Sequence, residues 1–597
     1  MTEQQRSLGV DDGATRPSDP KAGGTGAGGT EAGGTGAGGT GAGGTGAVAA
    51  GRCRALRRHR RWWYPLVVVA LLAQMAFAMV TTALQQTPTI DEPVYVGAAA
   101  VYTQQHILRH NPEHPPLGKL LIGAGLAFTE PRLDPSFAGS QESLGRYLLY
   151  GWGNNPWRLM LAARLPMIAL TLLFGLVVLA FARDLTGSAG GLVALALYAF
   201  TPDIITHGSL ATLDVPAAGF LLTSVWLLWR ARRSPVPYLP LAGAALGAAL
   251  ATRMSALPAV PVLACLVVLS VWQARRTPSP TLRRTARLLG LGVAAAFGVA
   301  VVAVAVVWVT YLAVDPRLRW TAPPDLPVVH GLRGLAVGLL PLPEAYRDGM
   351  RVQFGFEDST FSGFLFGRHY RGSLWYYLPA ALLVKTPLGA LVLWAAGALA
   401  LVAVPRLRPA APYVLVLPAV LFAVAMTGAR DFGTRYAIFV PVFAAVAAAS
   451  VVALRVRWVP AATAVLVGFV AVSSLRTFPY YLPYSNEAFG GTAKTHLRLH
   501  DSNVDWGQDL GRLADRLRER YPGERVWLVY KGSGVPAAYG IEASDPLKVP
   551  ASRVDGLLVV SDSSIAKAGG RLSALIDSSE PIDQVGHSIT IFRRSAG

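Results

Sequence analysis

The stretch PTIDEPVYVGAAAVYTQQHILRHNPEHPPLGKLL begins at Pro88, directly after an apolar run of nearly twenty residues. It sets the adjacent acids Asp91 and Glu92 at the lip of that run. A third acid, Glu113, follows a short amphipathic stretch and is backed by His114 and Lys119. Carboxylates so placed fit a solvated loop, an ion pathway, or a site where one acid takes a proton from a reacting group. Further ionisable residues stand at or near the edges of other apolar runs: Asp214 in ATLDVPAAGF, then Arg253, Lys385 in the outer part of its run, and Arg435. Each has a plain reading beside the functional one. Asp214 precedes a helix and Pro216, so it could be a helix cap. Arg253, Lys385 and Arg435 could snorkel to a membrane interface, and Glu92 could simply be solvated.

The chain that must position these residues is 52% hydrophobic and only 15% charged over 597 residues. Its apolar runs of about 20 residues are what a hydrocarbon layer of about 30 Å demands of a helix. Lipid leaves no other partner for the backbone, so the runs are read as helices. The net charge of +19 does not point to nucleic acid, because the arginines sit in short clusters between the runs. Cys53 and Cys265 are the only cysteines, which excludes a disulfide framework. The first fifty residues hold no apolar segment, so a cleavable signal peptide is not expected.

Spans are expected near 65–84, 161–182, 188–205, 213–230, 238–252, 255–273, 288–313, 376–404, 411–428, 434–454 and 458–476. The fold class is therefore an all-α polytopic membrane protein of about eleven helices. The cluster RCRALRRHRR (52–61) puts the N-terminus in the cytoplasm. RARR (230–233), ARRTPSPTLRRTAR (274–287), RLR (406–408) and RVR (455–457) then fall on that same side. The predicted organisation is a disordered Gly/Ala/Thr tail (1–50), a membrane domain (51–476) with long outer loops at 85–160 and 314–375, and an outer α/β domain (477–597). In the last, GQDLGRLADRLRERY reads as a helix, and RVWLVY, GLLVV and SITIF read as strands.

This threading brings Asp91, Glu113, His114, Asp214, Arg253, Lys385 and Arg435 to one interface. Ionisable residues at membrane depth are costly, so a set of them marks a candidate site. Acids beside Arg and Lys at headgroup level suit a lipid phosphate, since Arg offers a forked donor set and Lys a point charge. A hydroxyl attacking carbon beside that phosphate needs a base, and the departing phosphate needs positive charge.

Four stretches, TIDEPVY, EHPPLGKLL, SLATLDVPAAGF and WYYLPAALLVKTPLGALVL, with ARDFGTRYAIFVPVF as a weaker fifth, resemble the membrane-embedded GT-C glycosyltransferases of family 39. These include protein O-mannosyltransferases and the bacterial aminoarabinose transferase of lipid A. The resemblance runs through most of residues 60–510. It implies a GT-C fold, a polyprenyl-monophosphate sugar donor, and transfer on the outer face with inversion, as in single-displacement glycoside chemistry. By this resemblance Asp91 matches the proposed general base. Glu113 matches an acid that contacts donor or metal, and Asp214 an acid in a supporting role. His114, Arg253, Lys385 and Arg435 are the donor-phosphate candidates. Asp91 and Glu113, with His114, are compatible with a divalent metal ion, although the same residue types also occur without one. A bacterial plasma membrane is expected, and the acceptor could be a lipid, a glycan or a protein.

Loop 314–375 is too short for the lumenal domain of eukaryotic-type protein O-mannosyltransferases, so the acceptor stays open. DSNVDWGQD resembles a Ca²⁺ loop in its alternating Asp501, Asn503, Asp505, Gly507 and Asp509. Trp506 and Arg512, however, stand where such a loop needs Gly and Glu. A helix start at Asp505 is the expected reading. The rival function is a transporter or flippase of lipid-linked sugars, which would place its charges near the midplane on broken, repeated helices. This sequence shows no such repeat.

Overall fold

The computed structural model describes residues 45–275 and 281–595, with side chains from Trp62 onward. Most of the Gly/Ala/Thr tail (1–44) lies outside the described residues. Helix α1 spans Thr45–Gln85, so residues 45–50 are already helical. Residues 64–597 form one compact unit.

Helical elements occupy all eleven stretches expected to span. α1 is followed, after the loop helices, by α5 (Pro156–Phe200). There Gly187 has φ 82° and turns one 45-residue element into two helices. α6 (Pro202–Gly208) leads into α7 (Asp214–Ala231), α8 (Pro235–Thr252), α9 (Ala259–Arg275) and α10 (Leu282–Val314). The last spans lie within α13 (Tyr377–Lys385), α14 (Leu388–Ala403), α15 (Leu417–Ala425), α16 (Phe439–Ala448) and α17 (Val459–Thr477). Among the described residues six helices are long and apolar enough to cross a membrane alone, and α13 with α14 makes a seventh if counted as one span. The protein is a multi-pass membrane protein.

One expected span needs correction. The stretch 376–404 is not a continuous helix: α13 and α14 meet at 118°. Pro387 supplies no N–H and disfavours helical geometry at Thr386, which is extended (φ −99°, ψ 132°). The carbonyls freed at the break are met by Asn486, whose Nδ2 donates to Leu383 O (2.6 Å) and Thr386 O (2.8 Å). A broken helix within a membrane protein requires such partners.

The 230–233 arginines lie beside the end of α9, where the 274–287 cluster begins. Arg230 pairs with Asp184 at 2.8 Å, and Arg232 reaches Gln273 at 3.1 Å. Asp214 begins α7 and Arg230 lies in its last turn, so the acid is at the opposite end. Loop 85–160 folds there into α2 (Glu92–Gln104), α3 (Pro116–Leu126) and α4 (Gln141–Tyr150). Loop 314–375 forms α11 (Gly331–Leu339), α12 (Glu344–Glu357) and the hairpin β1 (Ser362–Leu365)–β2 (Arg368–Arg371).

The tail carries the expected helix and strands plus one strand more. α18 (Leu510–Arg520) packs with a sheet of order β3-β4-β6-β5, formed by Val526–Val529, Gly556–Ser561, Ile589–Arg594 and Glu580–Val585. β3 and β4 are parallel and the other pairs antiparallel. The helix starts at Leu510 after Asp509, not at Asp505.

Candidate active site

Asp91 and Glu92 are neighbours with opposite surroundings. α2 begins at Glu92 with Pro93 in its first turn, and the Asp91 side chain makes no capping bond. It is about a quarter exposed and forms an ion pair with Arg435. Glu92 is not solvated, contrary to expectation. It is fully enclosed and meets Arg164 at 2.7 Å. It also accepts from the backbone N–H groups of Thr89 (2.9 Å) and Ala211 (2.8 Å) and from Thr89 Oγ1 (3.0 Å). Arg164 spends its other donors on the carbonyls of Ala83, Gln86 and Thr87. This pair pins the chain on either side of Asp91, leaving Asp91 as the available acid.

Asp214 does not cap α7: it is the first residue of the helix, and the N-cap is Leu213. It is buried, pairs with Arg253, and leaves Oδ2 without a partner. Arg253 follows α8 in extended conformation (φ −151°, ψ 131°), which ends that helix and turns its side chain back to Asp214.

Both residues line a cavity of about 550 Å³. Three of its four arginines, Arg253, Arg430 and Arg435, gather round the Tyr436 ring at 5.7, 5.8 and 5.0 Å, with Asp214 and Glu357 beside them, while the fourth, Arg333, is paired with Asp358. The walls beyond are apolar, from Leu257, Val260, Leu421, Val424 and Phe439. Arg430 is held by Glu357 (2.7 Å) and Gln353 (3.0 Å) of α12. The Nε groups of Arg430 and Arg435 are buried and unpartnered. Buried donors without partners are rare, and here two of them lie on the cationic groups of one cavity. A cationic end joined to an apolar length matches an anionic headgroup on a hydrocarbon chain.

Glu113 and His114 sit beside this cavity without lining it. Glu113 accepts from Gln141 Nε2 at 2.8 Å, and its carbonyl accepts from Gln353 Nε2 at 3.0 Å. Gln353 thereby links the first outer loop to Arg430. The His114 ring lies edge-on to Tyr95 at 5.5 Å. Burial, and then the nearby Arg253, hold that imidazole well below its usual range. Its Nδ1 is buried without a hydrogen-bond partner. Lys119 is sealed beneath, donating to Asn111 O (2.7 Å) and His114 O (2.6 Å), so it shapes the loop.

Lys385 is also not brought to the cavity. Its ammonium is fully buried at the α13–α14 break, 3.4 Å from Asp203 and bonded to Leu482 O and to Asn503 O (3.0 Å). A lysine with its donors spent on protein cannot serve a phosphate at the same time. As for a metal, Asp91 is paired with Arg435 and Glu113 with Gln141, and no three His, Cys, Asp or Glu side chains converge among the described residues.

Several members of the site were not singled out in the sequence. Arg430 lies in ARDFGTRY, five positions before Arg435, and its charge at a span edge was the available signal. Arg164 is a lone charge inside an apolar run, again a readable sign. Asp203, a lone acid inside the run expected at 188–205, carried the same sign, whereas Gln353, Glu357 and Trp506 carried none, since only folding brings them in.

Residues 68–316 match the family described as dolichyl-phosphate-mannose-protein mannosyltransferase. That segment is similar to the protein O-mannosyltransferases. It contains Asp91, Glu113, His114, Asp214 and Arg253, and it ends before Lys385, Arg430 and Arg435. Among solved structures, ArnT from Cupriavidus metallidurans bound to undecaprenyl phosphate is 14% identical with TM-score 0.45, covering 88% of this chain and 97% of that one. The Saccharomyces cerevisiae Pmt1–Pmt2 complex bound to the sugar donor is 16% identical with TM-score 0.33, covering 42% and 34%. The apo oligosaccharyltransferase of Archaeoglobus fulgidus is 14% identical with TM-score 0.40, covering 78% and 59%. These overlaps are too loose to place individual residues. No curated protein sequence gives a significant match.

Proposed function

We propose that the chain is a glycosyltransferase that moves a sugar from a polyprenyl-monophosphate donor to an acceptor outside a bacterial plasma membrane. The observation that carries this reading is the cavity whose apolar length ends in Arg253, Arg430 and Arg435, with Asp91 paired to the last. The family matched by residues 68–316 is described by a lipid-phosphate sugar donor, which agrees with that shape.

In the reaction, an acceptor hydroxyl attacks the anomeric carbon as the bond from that carbon to the phosphate oxygen breaks. Asp91 takes the hydroxyl proton. The electron pair leaves on the phosphate, whose charge meets the guanidinium groups. Asp214 holds Arg253, and Glu357 with Gln353 holds Arg430, so the cations are in place before the donor enters. One displacement inverts the anomeric centre. The cytoplasmic N-terminus and the outer position of the tail follow from the arginine clusters by the positive-inside rule.

The transporter reading would draw on the broken helix at Thr386–Pro387. That break is filled by Asn486, Leu482 and Asn503 rather than opening a path. The test is transfer of radiolabelled sugar from a panel of polyprenyl-phosphate sugars in purified membranes. Wild type is compared with Asp91→Asn, each with and without EDTA. Transfer that requires Asp91 and survives EDTA is expected. Equal transfer by Asp91→Asn removes the assigned base, and loss with EDTA brings a metal into the mechanism. Folded wild type that uses no donor returns the transporter.

A further inference from the structure

The segment DSNVDWGQD belongs to the tail by sequence position, yet it touches the site from two sides. On one side it is bonded to the strand leading into Asp91. Ile90 N donates to Trp506 O (3.0 Å) and Thr87 N to Gln508 O (3.0 Å), while Thr87 Oγ1 donates to Gly507 O (3.0 Å). On the other side it is bonded to the turn that bears Arg435. Ser502 donates to Phe432 O from its N (3.1 Å) and its Oγ (2.7 Å), and Thr434 N donates to Asn503 Oδ1 (3.1 Å). The approach is close: a Cβ on Gly433 would lie 2.2 Å from Ser502 Oγ.

Between these two seams stands Trp506, only 1% exposed, packed with Leu210, Leu482 and Ile90. Its ring lies 4.4 Å from the Arg435 guanidinium carbon. Tyr436 lies 5.0 Å from that carbon. Arg435 therefore has an aromatic surface, Asp91 as counter-ion, a bond from Nη2 to Tyr436 Oη at 3.3 Å, and one free Nε. A guanidinium on a desolvated aromatic face is held in plane without consuming its N–H donors. Such a support leaves those donors for a ligand.

We propose that residues 502–508 are a working part of the active site and that Trp506 is a positioning residue, holding Arg435 at the cationic end of the cavity. Trp506 touches neither donor nor acceptor. It acts through Arg435, and the tail segment thereby couples the Asp91 loop to the Arg435 turn. This rests on the reading of the cavity as a lipid-phosphate site.

The test uses the full chain in detergent and measures binding of decaprenyl phosphate, with decaprenol as the uncharged control. Trp506→Leu should weaken the phosphate by about tenfold while leaving decaprenol unchanged. Trp506→Phe, which keeps a ring face, should recover most of that loss. Acting through Arg435, the Trp506→Leu effect should vanish in an Arg435→Met background, whereas a merely structural role would add to it. Trp527→Phe, a change in the tail core away from the site, controls for general loosening and should bind as wild type. Wild-type affinity in Trp506→Leu, additivity with Arg435→Met, or an equal loss in Trp527→Phe overturns the proposal. Wild type that binds no decaprenyl phosphate overturns it too. Wild type that binds the lipid but transfers no sugar sinks the transferase reading alone and leaves the positioning role standing.

Discussion

Glu92 and Arg164 are 72 positions apart, and their side chains meet at 2.7 Å with neither reaching solvent. Both carboxylate oxygens and the guanidinium are saturated by backbone partners, so this pair fixes where α1, α2 and α5 meet. Breaking one half of a buried, fully bonded pair costs about 3–5 kcal/mol, because the other charge is left stranded. Glu92→Gln and Arg164→Leu should therefore lose monodisperse protein on size exclusion or melt far below wild type. Asp91→Asn, one residue away and partly exposed, should melt within a few degrees of wild type and lose transfer. Equal melting of Glu92→Gln and wild type would show that the pair does not hold the loop.

Arg435 should not be replaceable by lysine. It has to serve Asp91, an aromatic face and a phosphate together, and a fork can divide its donors where an ammonium cannot. Arg435→Met should reduce turnover by at least about a hundredfold, the scale for losing one oriented donor to developing charge. Arg435→Lys should recover only part of this. Steady-state transfer with saturating donor measures both. Full activity in Arg435→Lys would reduce the residue to a point charge.

What could be read in the sequence, and what could not, divides along physical lines. Spans were legible because lipid imposes length and apolarity on every helix, and even the short 238–252 and 255–273 pair has its helices. Asp91, Asp214, Arg253 and Arg435 were legible as charges at span ends, and they do converge. The direction of a side chain was not legible. Lys385 stands in the outer part of its span, near the same interface as Arg435, but Pro387 turns the chain beneath it and points its ammonium at Asp203. The part played by Trp506 was hidden for a different reason: its contacts join positions 90, 435 and 506, and no local pattern reports contacts that distant.

Lys385 supplies a prediction that separates its two readings. As a buried structural cation it should matter for folding, because Lys385→Met strands Asp203 and leaves Leu482 O and Asn503 O unpaired. The melting temperature should drop, and the donor KM of the remaining folded enzyme should equal that of wild type. A large rise in KM with an unchanged melt would restore Lys385 to the phosphate.

Asp505 predicts a pH dependence whose sign can be worked out. It is enclosed in the tail, where its carboxylate accepts from Gly507 N and Ser563 N, both at 3.2 Å. Burial pushes its pKa up to about 7; the charge of Asp562 adds to this, and Lys531 opposes it. The unfolded chain would release that proton near 3.9. Between those values the folded state holds more protons, so this group's contribution to stability falls as pH rises to about 7 and is flat above. Neighbours act differently. Burial holds His500 down at about 3, so its contribution rises with pH up to about 6.5. Asp501 is brought to about 2, where burial works against ionisation and Lys531, His500 and Arg435 together outweigh it; its stabilisation is lost only in stronger acid. The raw melting profile therefore mixes opposing slopes, and the comparison with Asp505→Asn isolates one of them. The melting temperature of Asp505→Asn minus that of wild type should climb steadily from pH 5 to about 7 and then level, since the amide avoids a buried charge that wild type is forced to accept. A difference that stays flat over that range would mean Asp505 is already ionised in the folded protein.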